Sequence, residues 1–363
     1  MTTSSNKKER AKMAITNIDL PRDTTMRDIA ASLRAIAGFA VSDIVDIKQI
    51  KAIVEGKKEK EVFNIGDQIT IPWTDKATNT TYAAAMDIVH FGDVELKSGD
   101  TTNAMFLQWH YATPFGVQYD APEVEVASEA TFSTDYNYYL KDSNGNFSVA
   151  DVTIGGTIPA GTTYYHNEIK DTSGSICKFG YNRWSHSAMR QWLNSDKGVN
   201  AWWNAQHKGD VKPAELATKA GFLTGFDDDF LNCLTPIKIV TLPNIISEPD
   251  KNVSNDITYD KFFLPSLEQM YCKPQVTGEG EYWEYWKKAS GSTTPCQQRQ
   301  TYPEMATHAI ENHSAAQNVR LRSDSRNNTS NTWSVYSGGS FDAGYASTSM
   351  RCTPACAITG ISI

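Results

Sequence analysis

Six cysteines and seven histidines carry the strongest nucleophile and metal chemistry in the sequence. Cys177, Cys233, Cys272, Cys296, Cys352 and Cys356 are too sparse for a disulfide scaffold, so buried thiols are expected. Only Cys352 and Cys356 lie close together, and a four-residue spacing without a second pair is a weak zinc signal. His90, His110, His166, His186, His207, His308 and His313 are scattered; His308 and His313, five apart, do not share a helix face. In Ser185-His186-Ser187, adjacent helical residues point apart, which favours a helix cap over a nucleophile with its base. No nucleophile elbow, phosphate loop or His-Glu-x-x-His pair occurs. Asp227, Asp228 and Asp229 suit a helix N-terminus better than calcium, because no second set of oxygen ligands accompanies them. The run Tyr282-Trp283-Glu284-Tyr285-Trp286, with Glu279 and Glu281 nearby, resembles a sugar-stacking platform. A glycosidase needs two carboxylates at a set separation, and aromatic core packing is the stronger reading. The expectation is a protein that is not an enzyme, with no catalytic residue, metal or cofactor.

The other chemistry is recognition. Between Arg320 and Met350, seventeen of 31 residues are Ser, Asn, Gly, Tyr or Trp and three are Arg. Aromatics give contact area at low entropic cost, and short polar side chains give adaptable hydrogen bonds. A solvated loop has a similar bias, but this one runs into an apolar close, Pro354 to Ile358, that would hold it.

The elements that position these residues fall into three parts. Residues 1–60 read as a helical lead-in: Met26, Ile29, Leu33, Ile36 and Ala40 follow Thr24 or Thr25, and Asp43 caps Ile44, Ile47, Ile50 and Val54. Such short heptads pack either three chains together or one helix against its own domain. Lys57 to Glu61 reads as a solvated linker. Residues 61–170 read as a β-rich module, with a hairpin at Gly66-Asp67, strands at Tyr82–Phe91, Met105–Tyr111 and Tyr136–Leu140, a turn at Asn144-Gly145 and an aromatic run at Tyr164 and Tyr165. In residues 171–363, Ser185 caps a helix whose face is Trp184, Ala188, Met189, Trp192 and Leu193. Gly221 to Leu234 holds a second helix, Ser266 starts another, and the chain from Trp283 to Ile358 is ordered but irregular.

Composition agrees with a folded chain: 363 residues, 40% hydrophobic and 21% charged, with a net charge of −8. That charge argues against nucleic acid, no window is apolar enough to insert in a membrane, and the polar N-terminus does not read as a secretory signal.

Phe179-Gly180-Tyr181-Asn182-Arg183-Trp184, Ser187 to Asn194, Gly221-Phe222-Leu223, Phe263-Leu264-Pro265-Ser266, Arg320-Leu321-Arg322-Ser323 and Pro354 to Ile358 occur in order. Together they resemble a family of structural proteins from gut bacteriophages and prophages. Its C-terminal part is similar to the variable proteins of diversity-generating retroelements, with a C-type-lectin-like fold of the formylglycine-generating-enzyme type. The resemblance implies an α+β chain: a helical attachment or oligomerisation segment at 1–60, a β-rich module at 61–170 and a ligand-binding domain at 171–363. It also implies a virion fibre or adhesin, made in the host cytoplasm and exposed on the particle, binding a host-surface protein or glycan, with other virion subunits as partners and a homotrimer as the fibre-like assembly. The contacts it implies are Arg322, Ser323, Ser325, Arg326, Asn327, Asn328, Asn331, Trp333, Tyr336, Ser340, Asp342 and Tyr345, with Arg320, Leu321, Val335 and Pro354 to Ile358 as framework. The alternatives are a purely structural capsid or tail decoration protein, or an enzyme of formylglycine-generating or glycan-acting type. Calcium-dependent sugar binding is not implied: Glu248-Pro249-Asp250 has no Trp-Asn-Asp partner.

Overall fold

A central aromatic ring, Phe222, shows how the two halves of the chain are joined. Its centroid lies 5.3 Å from Trp73, 5.5 Å from Trp109, 5.1 Å from Trp192 and 5.2 Å from Phe262. These rings come from both sides of residue 170, and aromatic faces and edges at such spacings stabilise a core beyond the area they bury. The computed structural model describes residues 46–134, 136–144, 147–168, 179–206, 210–247 and 250–361; the expected helix at 26–40 lies outside them.

Asp46 caps α1 (Ile47–Glu55) by accepting from Lys48 N at 3.2 Å, three residues later than the expected cap at Asp43, which lies outside the described residues. The α1 face Ile50 and Val54 is buried, and Lys51 Nζ donates to Thr359 O at 2.7 Å. The expected linker is instead a turn and α2 (Glu59–Val62), with Glu59 buried. Gly66, with φ +97°, turns the chain into β1 (Gln68–Asp75) rather than between two paired strands. The hairpin lies one step later, where β1 pairs with β2 (Thr80–Glu95), and β2 pairs in turn with β3 (Thr101–Trp109) across a bulge at Ile88/His90.

The last strand of the chain completes that sheet. β19 (Ala355–Thr359) pairs antiparallel with β3, and β12 (Phe262–Phe263) pairs with β19, giving the order β1-β2-β3-β19-β12. The structure therefore corrects the expected boundary at 170: strands of the middle module and of the C-terminal part share one sheet and one core, because the apolar face of β2 and β3 is covered by later segments. What does stand apart is a smaller excursion after Asp120. Strands β4 (Glu125–Val126), β6 (Tyr136–Lys141), β7 (Phe147–Val149) and β9 (Thr163–Glu168) form one sheet, β5 (Ala130–Thr131) pairs with β8 (Thr157–Ile158), and Ala127, Tyr138, Ile158 and Tyr164 form a separate apolar cluster. β6 and β7 are joined across the expected turn at Asn144, while Gly145 lies outside the described residues.

In the C-terminal part, Ser187, not Ser185, caps α3 (Ala188–Leu193), accepting from Arg190 N at 3.1 Å; Trp184 to His186 form a 3-10 turn just before it. Asp227 caps α4 (Asp228–Cys233), accepting from Phe230 N at 2.8 Å. Ser266 caps one turn only, accepting from Gln269 N, instead of starting a helix. Trp283 and Trp286 are buried at and within α5 (Glu284–Ala289). The stretch expected to be irregular carries a four-stranded sheet. β15 (Val319–Asp324), β16 (Asn331–Val335) and β17 (Phe341–Tyr345) run antiparallel, and β18 (Arg351–Cys352) joins β15 in parallel. Two short pairs complete the fold, β10 (Ile237–Thr241) with β11 (Asp256–Asp260) and β13 (Thr307–His308) with β14 (Ala316–Gln317). The chain is thus α+β and β-rich.

Candidate functional site

Four consecutive residues, Tyr181 to Trp184, fasten distant pieces of chain. The Tyr181 hydroxyl donates to Asp250 Oδ2, which also accepts from Asn244 Nδ2 at 3.0 Å and Ser247 Oγ at 2.9 Å. Asn182 Nδ2 donates to Asn328 O at 2.7 Å and Asn331 O at 3.0 Å. The Arg183 guanidinium bridges Asp250 at 2.8 Å and Asp256 at 3.3 Å. Trp184 Nε1 donates to Asp260 Oδ2 at 2.9 Å. Asp250, Asp256 and Asp260 are all buried, and each is compensated by a charge and further hydrogen bonds, as buried carboxylates require. The result is a polar lattice behind the late segment, reaching it through Asn182.

The late sheet is fixed from inside by two buried arginines. Arg320 Nη1 donates to Thr332 Oγ1 at 2.7 Å and Gly344 O at 3.1 Å; Nη2 donates to Tyr345 O at 2.9 Å and Thr348 O at 2.8 Å. Arg322 Nη1 donates to Leu264 O at 2.7 Å and to Gln269, and Nη2 to Glu279 O. Burial pushes both guanidinium groups down to about 10, still charged at neutral pH.

The twelve expected contacts divide accordingly. Arg322, Ser323, Ser325 and Trp333 are buried and do not face solvent: both faces of β15 are covered, and Ser323 Oγ donates to Glu279 while accepting from Leu267 N at 2.9 Å. The structure brings Arg326, Asn327, Asn328, Asn331 and Tyr345 to one end of the sheet, where Asn331 pairs with Tyr345 and Ala346 N donates to Ser330 O at 2.7 Å. Asn327 and Tyr345 are exposed there, and the Tyr345 ring stacks on Phe179 at 3.9 Å. Arg326 is half-buried: its guanidinium donates to Pro243 O, its backbone N to Gln275 Oε1 at 2.8 Å, and its carbonyl accepts from Ile245 N. Tyr336 and Ser340 sit at the opposite end, beyond the Val335–Phe341 pair, about 13 Å away at ~3.3 Å per residue. Asp342 lies between, 3.5 Å from Arg299 Nε. The expected framework residues Arg320, Leu321, Val335 and Pro354 to Ile358 are buried.

Sequence reasoning missed Asp256 and Asp260 of the lattice and a cleft on the β2 side of the molecule, where Asp93, Glu95 and Lys238 join His90, Glu281 and Trp283, three residues the sequence singled out without grouping them together. Single charges spread over such distant segments carry no spacing signal. Cys352 and Cys356 are buried free thiols; burial raises both, Cys352 to about 12, which leaves them protonated and unreactive. Cys177 lies outside the described residues, and among the described residues no three His, Cys, Asp or Glu side chains are grouped to hold a metal.

Fold and site together define a β-rich α+β protein in which a buried polar lattice presents one end of a late sheet. The chain belongs to the family described as Domain of unknown function (DUF6273), which matches residues 162–360, more than half of its length. No curated protein and no solved structure matches it.

Proposed function

We propose that this chain is a non-enzymatic binding protein, a fibre- or adhesin-type component of a bacteriophage particle with a lectin-like C-terminal fold. Its ligand contact is the sheet end formed by 326–328, Asn331, Tyr345 and Phe179. The observation that carries the reading is the division of roles within one short segment: Arg320 ties four acceptors from inside, while Asn327 and Tyr345 stand in solvent on the same sheet. Holding exposed side chains in place before the partner arrives lowers the entropy cost of association, and rigid aromatics beside short amides are effective contact chemistry. The virion and the lectin-like fold enter the proposal through the motifs from Phe179 to Ile358, and the partner that follows is a host-surface protein or glycan.

Adsorption to the particle's host cells tests this. A double Asn327→Ala, Tyr345→Ala variant is expected to lose at least tenfold in cell binding, the effect of removing ~1.4 kcal/mol of contact, while Tyr336→Ala at the far end stays within twofold. Undiminished binding by the double variant overturns the assignment, and retention on capsid or tail subunits instead of cells moves the chain to the decoration role.

A further inference from the structure

A cleft of about 330 Å3 opens between the end of β2, the strand β10 and the loop at 278–281, and none of its lining residues belongs to the proposed contact surface. β1 accompanies β2 only to Asp87, and β10 has its strand partner, β11, on one side only. The two strands touch at a single bridge, Leu96 with Ile237, so the cleft lies where their edges part. Its size is that of a small-molecule site. Phe106, Trp283, Val94 and Ile239 give it apolar walls.

The charges at this cleft do not cancel. Lys238 is matched by Glu95 at 2.8 Å, and deeper in, Arg322 is held by the Glu279 carbonyl beside the Glu279 carboxyl. Asp93 and Glu281 remain, both exposed, and among the described residues neither is ion-paired except with the His90 ring, whose Nε2 lies 3.3 Å from Glu281 Oε2; Lys60 and Glu284, which also act on His90, offset each other. Burial lowers the His90 pKa, so the ring is neutral near pH 7. A neutral ring that donates through Nε2 to Glu281 leaves the charge of that carboxylate uncancelled.

We propose that this cleft binds an organic amine, its ammonium group held by Asp93 and Glu281 and its apolar body against Phe106 and Trp283. The unpaired carboxylates disfavour an anion, and the apolar walls favour a hydrocarbon body over a bare metal ion.

Titration of the full chain with 2-phenylethylamine, followed by Trp fluorescence and calorimetry, tests it, with 2-phenylethanol as the uncharged control. Expected are saturable binding of the amine, at least tenfold weaker binding of the alcohol, and at least a tenfold loss in an Asp93→Asn, Glu281→Gln variant. Both side chains are exposed, so the variant folds, as far-UV circular dichroism would verify. No saturable binding of the amine, equal binding of the alcohol, or an unaffected variant each overturns the proposal. The Asn327→Ala, Tyr345→Ala variant should bind the amine as the parent does.

Discussion

Asp324 is buried at the end of β15 with neither carboxylate oxygen hydrogen-bonded, and burial, reinforced by Glu279, Asp250 and Asp256, pushes its carboxyl well above the usual range. A carboxyl whose folded pKa exceeds its unfolded value near 3.9 holds its proton more tightly in the folded state. Its contribution to stability is therefore complete in acid, declines as pH rises above the unfolded value, and is lost once pH passes the folded value. Asp324→Asn, which is neutral at every pH, is expected to raise stability at pH 8 by about 1–3 kcal/mol and to flatten the decline between pH 5 and 8. Urea unfolding across that range measures both, and a steeper decline in the variant would contradict the argument. The same residue shows what the sequence conceals at this scale. Ser, Asn, Arg and Trp between 320 and 335 have the composition of a wet recognition surface, yet most pack inward. A strand covered on both faces loses the period-two signal that separates inside from outside, and buried polar lattices draw on the same residue types as binding loops. Arg322, Ser323 and Trp333 were therefore legible as important but not as interior.

Among the elements, the late hairpins are tied by one side chain as well as by their own ladders. Arg320 supplies donors to Thr332, Gly344, Tyr345 and Thr348 in a planar fork, a pattern that lysine cannot reproduce from a single nitrogen. Arg320→Lys keeps the charge but leaves carbonyls of the 344–348 stretch without donors, at about 1–3 kcal/mol for each one left buried. The expected outcome is a loss of roughly 2–4 kcal/mol in unfolding free energy, with faster amide hydrogen exchange confined to 344–348 and the β15–β16 turn. Uniformly faster exchange over the whole sheet would mean that the fork does not act locally. Helical elements were easier to read than these strands, because the face Trp184, Ala188, Met189, Trp192 and Leu193 repeats at helical spacing and is buried as one stripe. Its cap moved from Ser185 to Ser187 because the first turn is 3-10, a detail of hydrogen bonding that periodicity cannot register.

For the whole molecule, the pairing of β19 with β3 outweighs any boundary drawn from composition. Ala355 sits opposite Gln108 and Thr359 opposite Ala104, so the chain's end closes a sheet begun near its start, and a contact of that sequence separation leaves no local trace. The segment that composition did not set apart is the excursion between Asp120 and Tyr181. Its ends meet, since Tyr181 N donates to Asp120 Oδ2 at 3.0 Å and a side chain at Gly180 would strike the Asp120 carbonyl. Its apolar cluster of Ala127, Tyr138, Ile158 and Tyr164 is distinct from the main core. Adjacent ends and a private core are the conditions under which an insertion can be removed, because closing a shorter loop changes entropy by only ~0.6 kcal/mol per twofold change in length. Replacing residues 124–177 with a short Gly-Ser linker is therefore expected to leave the far-UV spectrum β-rich and the unfolding free energy within about 2 kcal/mol of the parent. The Tyr345 and Asn327 surface should stay intact, because Asn182, Arg183 and Arg320 hold it from the retained side. Collapse of the shortened chain would show instead that the excursion supports the lattice through Asp120, and that the five-stranded sheet cannot hold the late segment alone.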